Sequence, residues 1–273
     1  MARSAQVKYA GGRIALWLGI LFFVIMLVVG LNRYFALFSS YDHGLFTQLF
    51  WNNLRGDWFQ SSLTSSNSVE SLEDGVIPRT SFFHLGQHLV LSFAVLTPLV
   101  AIFCHPITLI VLQTLLMTAG GWMLYALARC RLPVKLSLWI TASYYAANAV
   151  IGPTVANFYE HCQIPLYAFG LFLALEKRRW SWFLLWSGLL LAVREEVGGI
   201  ILFSLGAYLF ATKRLPRWFG LGLCLAGFGY VRSRPISSCR SFPVTIRGCI
   251  WRQGFGSSSM GRIPRRCRCC GGC

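Results

Sequence analysis

The sequence predicts an all-α protein, a polytopic transmembrane helical bundle with about seven to eight apolar segments. Three observations predict it. Hydrophobic residues fill 55% of the 273 positions and charged residues only 12%, against about 25% charged in a soluble domain. Mean hydropathy is +0.56. Apolar runs recur at 14–38, 86–104, 106–128, 136–150, 163–176, 180–193, 197–212 and 217–230. In lipid, backbone N–H and C=O groups must bond within their own segment, which makes such runs helices.

The first run follows a short basic stretch, Met1 to Arg13. Gly11 to Phe38 is longer than the apolar part of a signal peptide and has no clear small-residue cleavage site. It reads as a retained span. The one long loop follows, at about 39–85. It holds Asp42, Asp57, Glu70, Glu73 and Asp74, and a Ser-rich piece at 61–68 that reads as flexible surface. Several later runs fall short of the roughly 20 residues a span needs, which predicts tilted, re-entrant or cavity-lining helices.

Charge gives the topology. Residues 1–230 carry 16 Lys/Arg against nine Asp/Glu, a net of +7. Lys8 and Arg13 put the N-terminus in the cytoplasm and the 39–85 loop outside. Three further basic clusters belong inside: Arg129/Arg131/Lys135, Lys177/Arg178/Arg179 and Lys213/Arg214/Arg217. They all fall there if 86–104 is interfacial or re-entrant. Asp42, His84, His88, Glu160, His161, Glu195 and Glu196 then share the exoplasmic side. This distribution assigns the basic excess to membrane topology and not to nucleic acid. The partner it implies is the lipid bilayer.

Residues 231–273 depart from the pattern. They hold nine Arg, no acid and six of the ten cysteines, and they lack apolar periodicity. Zinc sites usually pair two ligand clusters across a loop, whereas this tail has one crowded cluster and no His. It reads as a frameshifted or disordered Arg/Cys-rich extension behind a 1–230 transmembrane domain. Cys104, Cys130, Cys162 and Cys224 read as packing residues.

The polar groups that interrupt the apolar pattern are the site candidates. Asp42 could act as general base on a hydroxyl or ligate a divalent cation. It could equally cap the helix expected over 44–54, where Leu45, Phe46, Leu49, Phe50 and Leu54 follow at helical spacing. That helix would lie in the interface, with Trp51 and Trp58 at headgroup depth. His84 and His88 stand four apart, a spacing that suits metal or phosphate on a helix, although Gly86 between them weakens a helix. Glu160 and His161 sit in a short polar break. Arg194-Glu195-Glu196 fills a corner between two apolar runs, where charges pair or line a polar cavity. Arg194 could meet a phosphate, with Glu195 or Glu196 orienting it. No P-loop, G-x-G-x-x-G or HExxH is present, so soluble nucleotide chemistry has no support in the sequence.

Tyr41-Asp42-x-Gly44-x-Phe46-x-Gln48-x-x-Trp51-Asn52, Gly86-x-His88, Phe158-x-Glu160 and Arg194-Glu195-Glu196 together resemble a family of predicted bacterial membrane proteins, the domain of unknown function 2079. The resemblance runs from about residue 15 to 230. More remotely it is similar to the GT-C integral-membrane glycosyltransferases. That similarity implies a GT-C-like fold in the bacterial inner membrane, a polyprenyl-phosphate-linked sugar donor and an exoplasmic acceptor. It implies an acid in the first outer loop as base or metal ligand, and Asp42 matches that position. His88, Glu160, His161, Arg194, Glu195 and Glu196 would bind substrate. Two positions depart from the family pattern. Thr47 stands where a second acid is common, and Arg194-Glu195-Glu196 replaces Lys-Glu-Asp. Such enzymes also continue through more spans, so the chain reads as truncated. A transporter or lipid-handling protein without chemistry is the alternative, although no internal repeat supports two related halves.

Overall fold

In a computed structural model, residues 2–232 are described except 68–70, 73, 74, 76, 78–81, 87 and 88, and the side chains of residues 2–9 and of Glu195. The expectations for His88, for the Glu195 side chain and for the 231–273 tail therefore lie outside the described residues, apart from the tail's first two positions. All regular structure among the described residues is helical, beside one isolated bridge between Gln60 and Phe83.

The long helices are α1 (Ala2–Phe35), α2 (Tyr41–Leu54), α3 (Ser62–Ser66), α4 (Ser92–Ile102) and α5 (Ile107–Ala128). They are followed by α6 (Val134–Ala146), α7 (Asn148–Val155), α8 (Ile164–Glu176), α9 (Trp180–Val193), α10 (Glu195–Thr212) and α11 (Arg217–Arg232). Short 3-10 turns occupy His84–Gly86 and Glu160–Gln163.

Among the described residues, two helices are long and apolar enough to cross a membrane: Ala10–Phe35 within α1, and α5. Half of the residues of this α1 segment are exposed, Trp17, Leu21 and Val28 among them. That is the expected surface of a helix whose solvent is lipid. The α4 segment is shorter than its apolar run predicted. Its 11 residues span about 16 Å, too little for a crossing. The 136–150 run is divided between α6 and α7, because Ala147 between them is extended.

The helices pack into two cores. Phe46 and Phe50 of α2 meet Phe93 of α4 and Phe158, with ring centroids 5.0–6.1 Å apart. Such edge and tilted aromatic contacts add about 0.5–1.5 kcal/mol each beyond area burial. A second core joins α8, α9 and α10 through Leu171, Phe183, Leu190, Val193 and Leu202. The closest helix pair is α10 with α11. A Cβ on Gly206 would lie 2.7 Å from the Gly220 carbonyl oxygen, and one on Gly227 2.6 Å from that of Gly199. Only glycine admits this backbone contact, the small-residue packing common between helices in lipid.

Charge separates along the bundle. The α5–α6 turn meets the end of α8 through a bidentate Arg131–Glu176 pair at 2.6 and 2.9 Å. Arg214, between α10 and α11, lines the same groove as Glu176. The α1 end near Gly11 adjoins Val134. The basic turns thus gather at one end. Arg33, at the far end of α1, donates to the Val155 carbonyl at 3.0 Å, and the polar corner at Arg194 lies one helix length away from the basic turns.

The Ser-rich piece corrects its sequence reading as flexible surface. Ser61, Thr64 and Ser65 are buried. Ser61 caps α3, its Oγ accepting from the Thr64 N–H at 3.1 Å. Gln48 holds the same turn, accepting from Ser61 Oγ at 2.7 Å and donating to Ser62 Oγ at 2.8 Å. Ser and Thr compete for backbone partners locally, so a tract of them can be ordered and capped.

Candidate functional site

One cavity of about 720 Å³ collects the polar candidates that the sequence scatters over some 150 residues. Asp42, His84, Glu160, His161 and Arg194 all line it, beside Phe46, Tyr159 and Pro153. Its volume lies in the range of small-molecule sites.

Asp42 enters from the first turn of α2. It does not cap the helix, which corrects that expectation. The N-cap is Ser40, whose side chain makes no capping bond. Asp42 Oδ2 instead accepts from the Tyr159 hydroxyl at 2.6 Å. Its place in the first turn still suits the positive end of the helix dipole. The Asp42 hydrogen bond, with burial and the Asp42 and Glu160 charges behind it, pushes the Tyr159 phenol up to about 12. The phenol therefore stays a donor at neutral pH.

Glu160 opens the second 3-10 turn and is only 5% exposed. Its Oε1 lies 3.5 Å from Arg194 Nη1 and 3.7 Å from His161 Nδ1, while Oε2 is buried with no hydrogen-bond partner. Arg194 Nη1 also stands 3.4 Å from His161 Nε2. Arginine can only donate, so Nε2 accepts and the His161 proton sits on Nδ1, on the Glu160 side. Arg194 Nε is 3.8 Å from Glu196 Oε2. These three contacts of Arg194 are 3.4–3.8 Å long. Arg194 is the extended N-cap of α10, so Glu195 and Glu196 fall in that helix's first turn. Glu196 lies behind Arg194 and not in the cavity lining.

His84 is 5% exposed, its Nδ1 3.0 Å from Thr64 Oγ1 and its ring edge-on to Phe46. It forms part of the wall. Among the described residues, no three His, Cys, Asp or Glu side chains come close enough to hold a metal ion.

Two residues that the sequence reading missed build the site. Gln113, inside α5, donates to the Pro153 and Thr154 carbonyls at 2.7 and 3.2 Å and accepts from the Tyr159 N–H at 2.9 Å. Gln163 donates to Ser92 Oγ at 3.0 Å and accepts from the Tyr167 hydroxyl at 3.1 Å. Both amides are buried. They hold the 153–163 segment, and with it Tyr159 and Glu160, against α4, α5 and α8. The available signal was a polar residue inside an apolar run.

The model of a family described as a predicted membrane protein, DUF2079, matches residues 33–232. The chain belongs to that family. The DUF2079 match begins at Arg33 and ends at Arg232, so it takes in α2, the cavity and the α10–α11 hairpin. No curated protein and no solved structure matches the chain.

Proposed function

We propose that this DUF2079 protein is a multi-pass membrane transferase of GT-C type. It crosses the bacterial inner membrane through a bundle of seven to eight apolar segments with its N-terminus in the cytoplasm. It moves a sugar from a polyprenyl-phosphate donor to an acceptor hydroxyl at the exoplasmic face. The observation that carries this reading is the convergence of Asp42, Glu160 and Arg194 on one cavity, at the opposite end of the bundle from the basic turns.

Asp42 is the base. Tyr159 occupies Oδ2 and fixes the carboxylate's orientation, which leaves Oδ1 to receive the acceptor's proton. The acceptor oxygen bonds to the anomeric carbon as the bond from that carbon to the phosphate oxygen breaks. The phosphate leaves with the bonding electron pair. Arg194 meets the leaving phosphate, where its fork makes two charge-assisted bonds. Glu160 and His161 hold that guanidinium at the cavity wall and line the sugar site.

The test is transfer from a polyprenyl-phosphate-linked radiolabelled sugar by the full chain in proteoliposomes. Wild type is expected to release polyprenyl phosphate, and Asp42→Asn to lose the release about 10²–10⁴-fold, the usual worth of a positioned base. Equal release by both sinks the assignment. Binding of the lipid without release by wild type favours lipid handling without chemistry. Reporters fused after Arg131, Lys177 and Arg214 are expected on the cytoplasmic side, and any one of them outside overturns the orientation.

A further inference from the structure

Helix α2 walls a second cavity, of about 460 Å³, lined by Tyr34, Ser40, His43, Thr47, Trp51 and Pro106 among others. Asp42 belongs to the first cavity and His43 to the second, so neighbouring residues of one helix serve two different spaces. Two side chains of the second cavity have no explanation within the fold. Ser40 Oγ and His43 Nε2 are both buried and without a hydrogen-bond partner. His43 is 5% exposed. A buried polar atom left unpaired costs about 1–3 kcal/mol, so two of them beside one cavity point to a ligand.

The chemistry of the pair narrows that ligand. Burial holds the His43 imidazole below its usual pKa, against the Pro106 carbonyl, which raises it. A neutral imidazole carries one acceptor nitrogen, and Nε2, without a partner inside the fold, can take a donor from outside. The Ser40 hydroxyl can give or take a hydrogen bond beside it. Its backbone is fixed, because the Ser40 N–H donates to Asn157 Oδ1 at 3.0 Å. None of the described lining residues carries a full charge, so an ionic headgroup has no counter-ion. Tyr34 and Trp51 supply aromatic wall, and the Tyr34 and His43 rings meet edge-on at 5.9 Å. The cavity lies where the apolar α1 ends and α2 begins, beside the half-exposed Trp51. Aromatic side chains of this kind favour the membrane–water interface.

We propose that this cavity binds the hydroxyl-bearing headgroup of an uncharged amphiphile, with a ligand O–H donated to His43 Nε2 and a second hydroxyl paired with Ser40. The site is separate from the Asp42 cavity and stands whether or not the transferase reading does.

The experiment uses the full chain, labelled with ¹⁵N-histidine, in phosphatidylcholine nanodiscs, whose headgroups carry no hydrogen-bond donor. The His43 Nε2 resonance is assigned by its loss in His43→Phe. Octyl glucoside is titrated in, with free glucose and the hydroxyl-free octyl phosphocholine as the other arms. Octyl glucoside is expected to shift the resonance saturably upfield, glucose to do so only at much higher concentration, and octyl phosphocholine not at all. Ser40→Ala removes only an unpaired hydroxyl, so the fold keeps its contacts. It is expected to raise the half-saturation concentration about tenfold. No shift with octyl glucoside, an equal shift with octyl phosphocholine, or an unchanged midpoint in Ser40→Ala overturns the proposal. Equal potency of glucose overturns the amphiphile and assigns the site to a free polyol.

Discussion

Tyr159 donates to Asp42 across 117 residues of chain, at 2.6 Å. This bond ties the first turn of α2 to the segment that carries Glu160 and His161. Asp42 is the main cause of the raised Tyr159 pKa, and removing the carboxylate should lower it. In Asp42→Asn the phenol should titrate below about 12 but still above the ordinary value of about 10, because burial and Glu160 remain. The component is identified as the part of the tyrosinate absorbance absent from Tyr159→Phe. Identical titrations in both backgrounds would show that another group holds the phenol. The same bond sets a stability trend. The folded pKa lies above the unfolded one, so its contribution is full below pH about 10 and fades as pH rises towards about 12.

Glu160 and Arg194 depend on one another in a similar way, but through burial. Glu160 is 6% exposed at its side chain and Arg194 19%. Removing one partner strands the other charge, which costs about 3–5 kcal/mol for a buried pair. Arg194→Met is therefore expected to lower stability by about 3 kcal/mol, with the long 3.5 Å contact placing it at the low end. Arg194→Met with Glu160→Gln should recover most of that loss. Thermal unfolding in nanodiscs reads both, and additive losses in the double variant would refute the coupling.

Gln113 holds the site from beneath. Gln113→Leu keeps the apolar volume and leaves the Tyr159 N–H and two carbonyls without their partner. A loss of about 1–3 kcal/mol is expected, together with faster amide exchange at Tyr159. If exchange speeds up uniformly over the whole chain, Gln113 contributes only global stability and does not position the site.

The α10–α11 hairpin gives a contrast between glycines. Gly206→Val inserts a side chain where the Gly220 carbonyl already stands 2.7 Å from Cβ. It is expected to destabilise by about 1–3 kcal/mol, as overpacking does. Gly222, on the same hairpin, meets nothing within 4 Å. Gly222→Ala should be neutral, or stabilising by up to about 1 kcal/mol through helix propensity. Unfolding midpoints that shift equally in the two variants would refute the close packing.

Much of the architecture was legible without coordinates. The runs 106–128, 163–176 and 180–193 became helices with nearly the same bounds, Ile107–Ala128, Ile164–Glu176 and Trp180–Val193. Apolar length and the need to satisfy backbone groups locally are properties of a segment by itself. The candidate residues were legible for a related reason: Asp42, Glu160 and Arg194 stood out as polar groups in apolar surroundings. Helix count was less secure. Among the described residues two helices reach the length and hydropathy of a full span, and shorter ones such as α9 depend on their neighbours.

The roles of those residues needed the tertiary structure. Helical spacing made Asp42 a cap, yet its partner is Tyr159, which no local pattern connects to it. Composition made 61–68 a surface tract, yet Gln48 and a cap bury its first residues. Gln113 and Gln163 went unnoticed in the sequence, and only the 153–163 segment folded onto them gives them a role. The sequence by itself determined which segments are helices and which few polar side chains interrupt them, because periodicity and hydropathy act within a turn or two of chain. Only the tertiary structure decided which of those side chains meet, because hydrogen bonds and ion pairs act over about 3–4 Å in space whatever the separation along the chain.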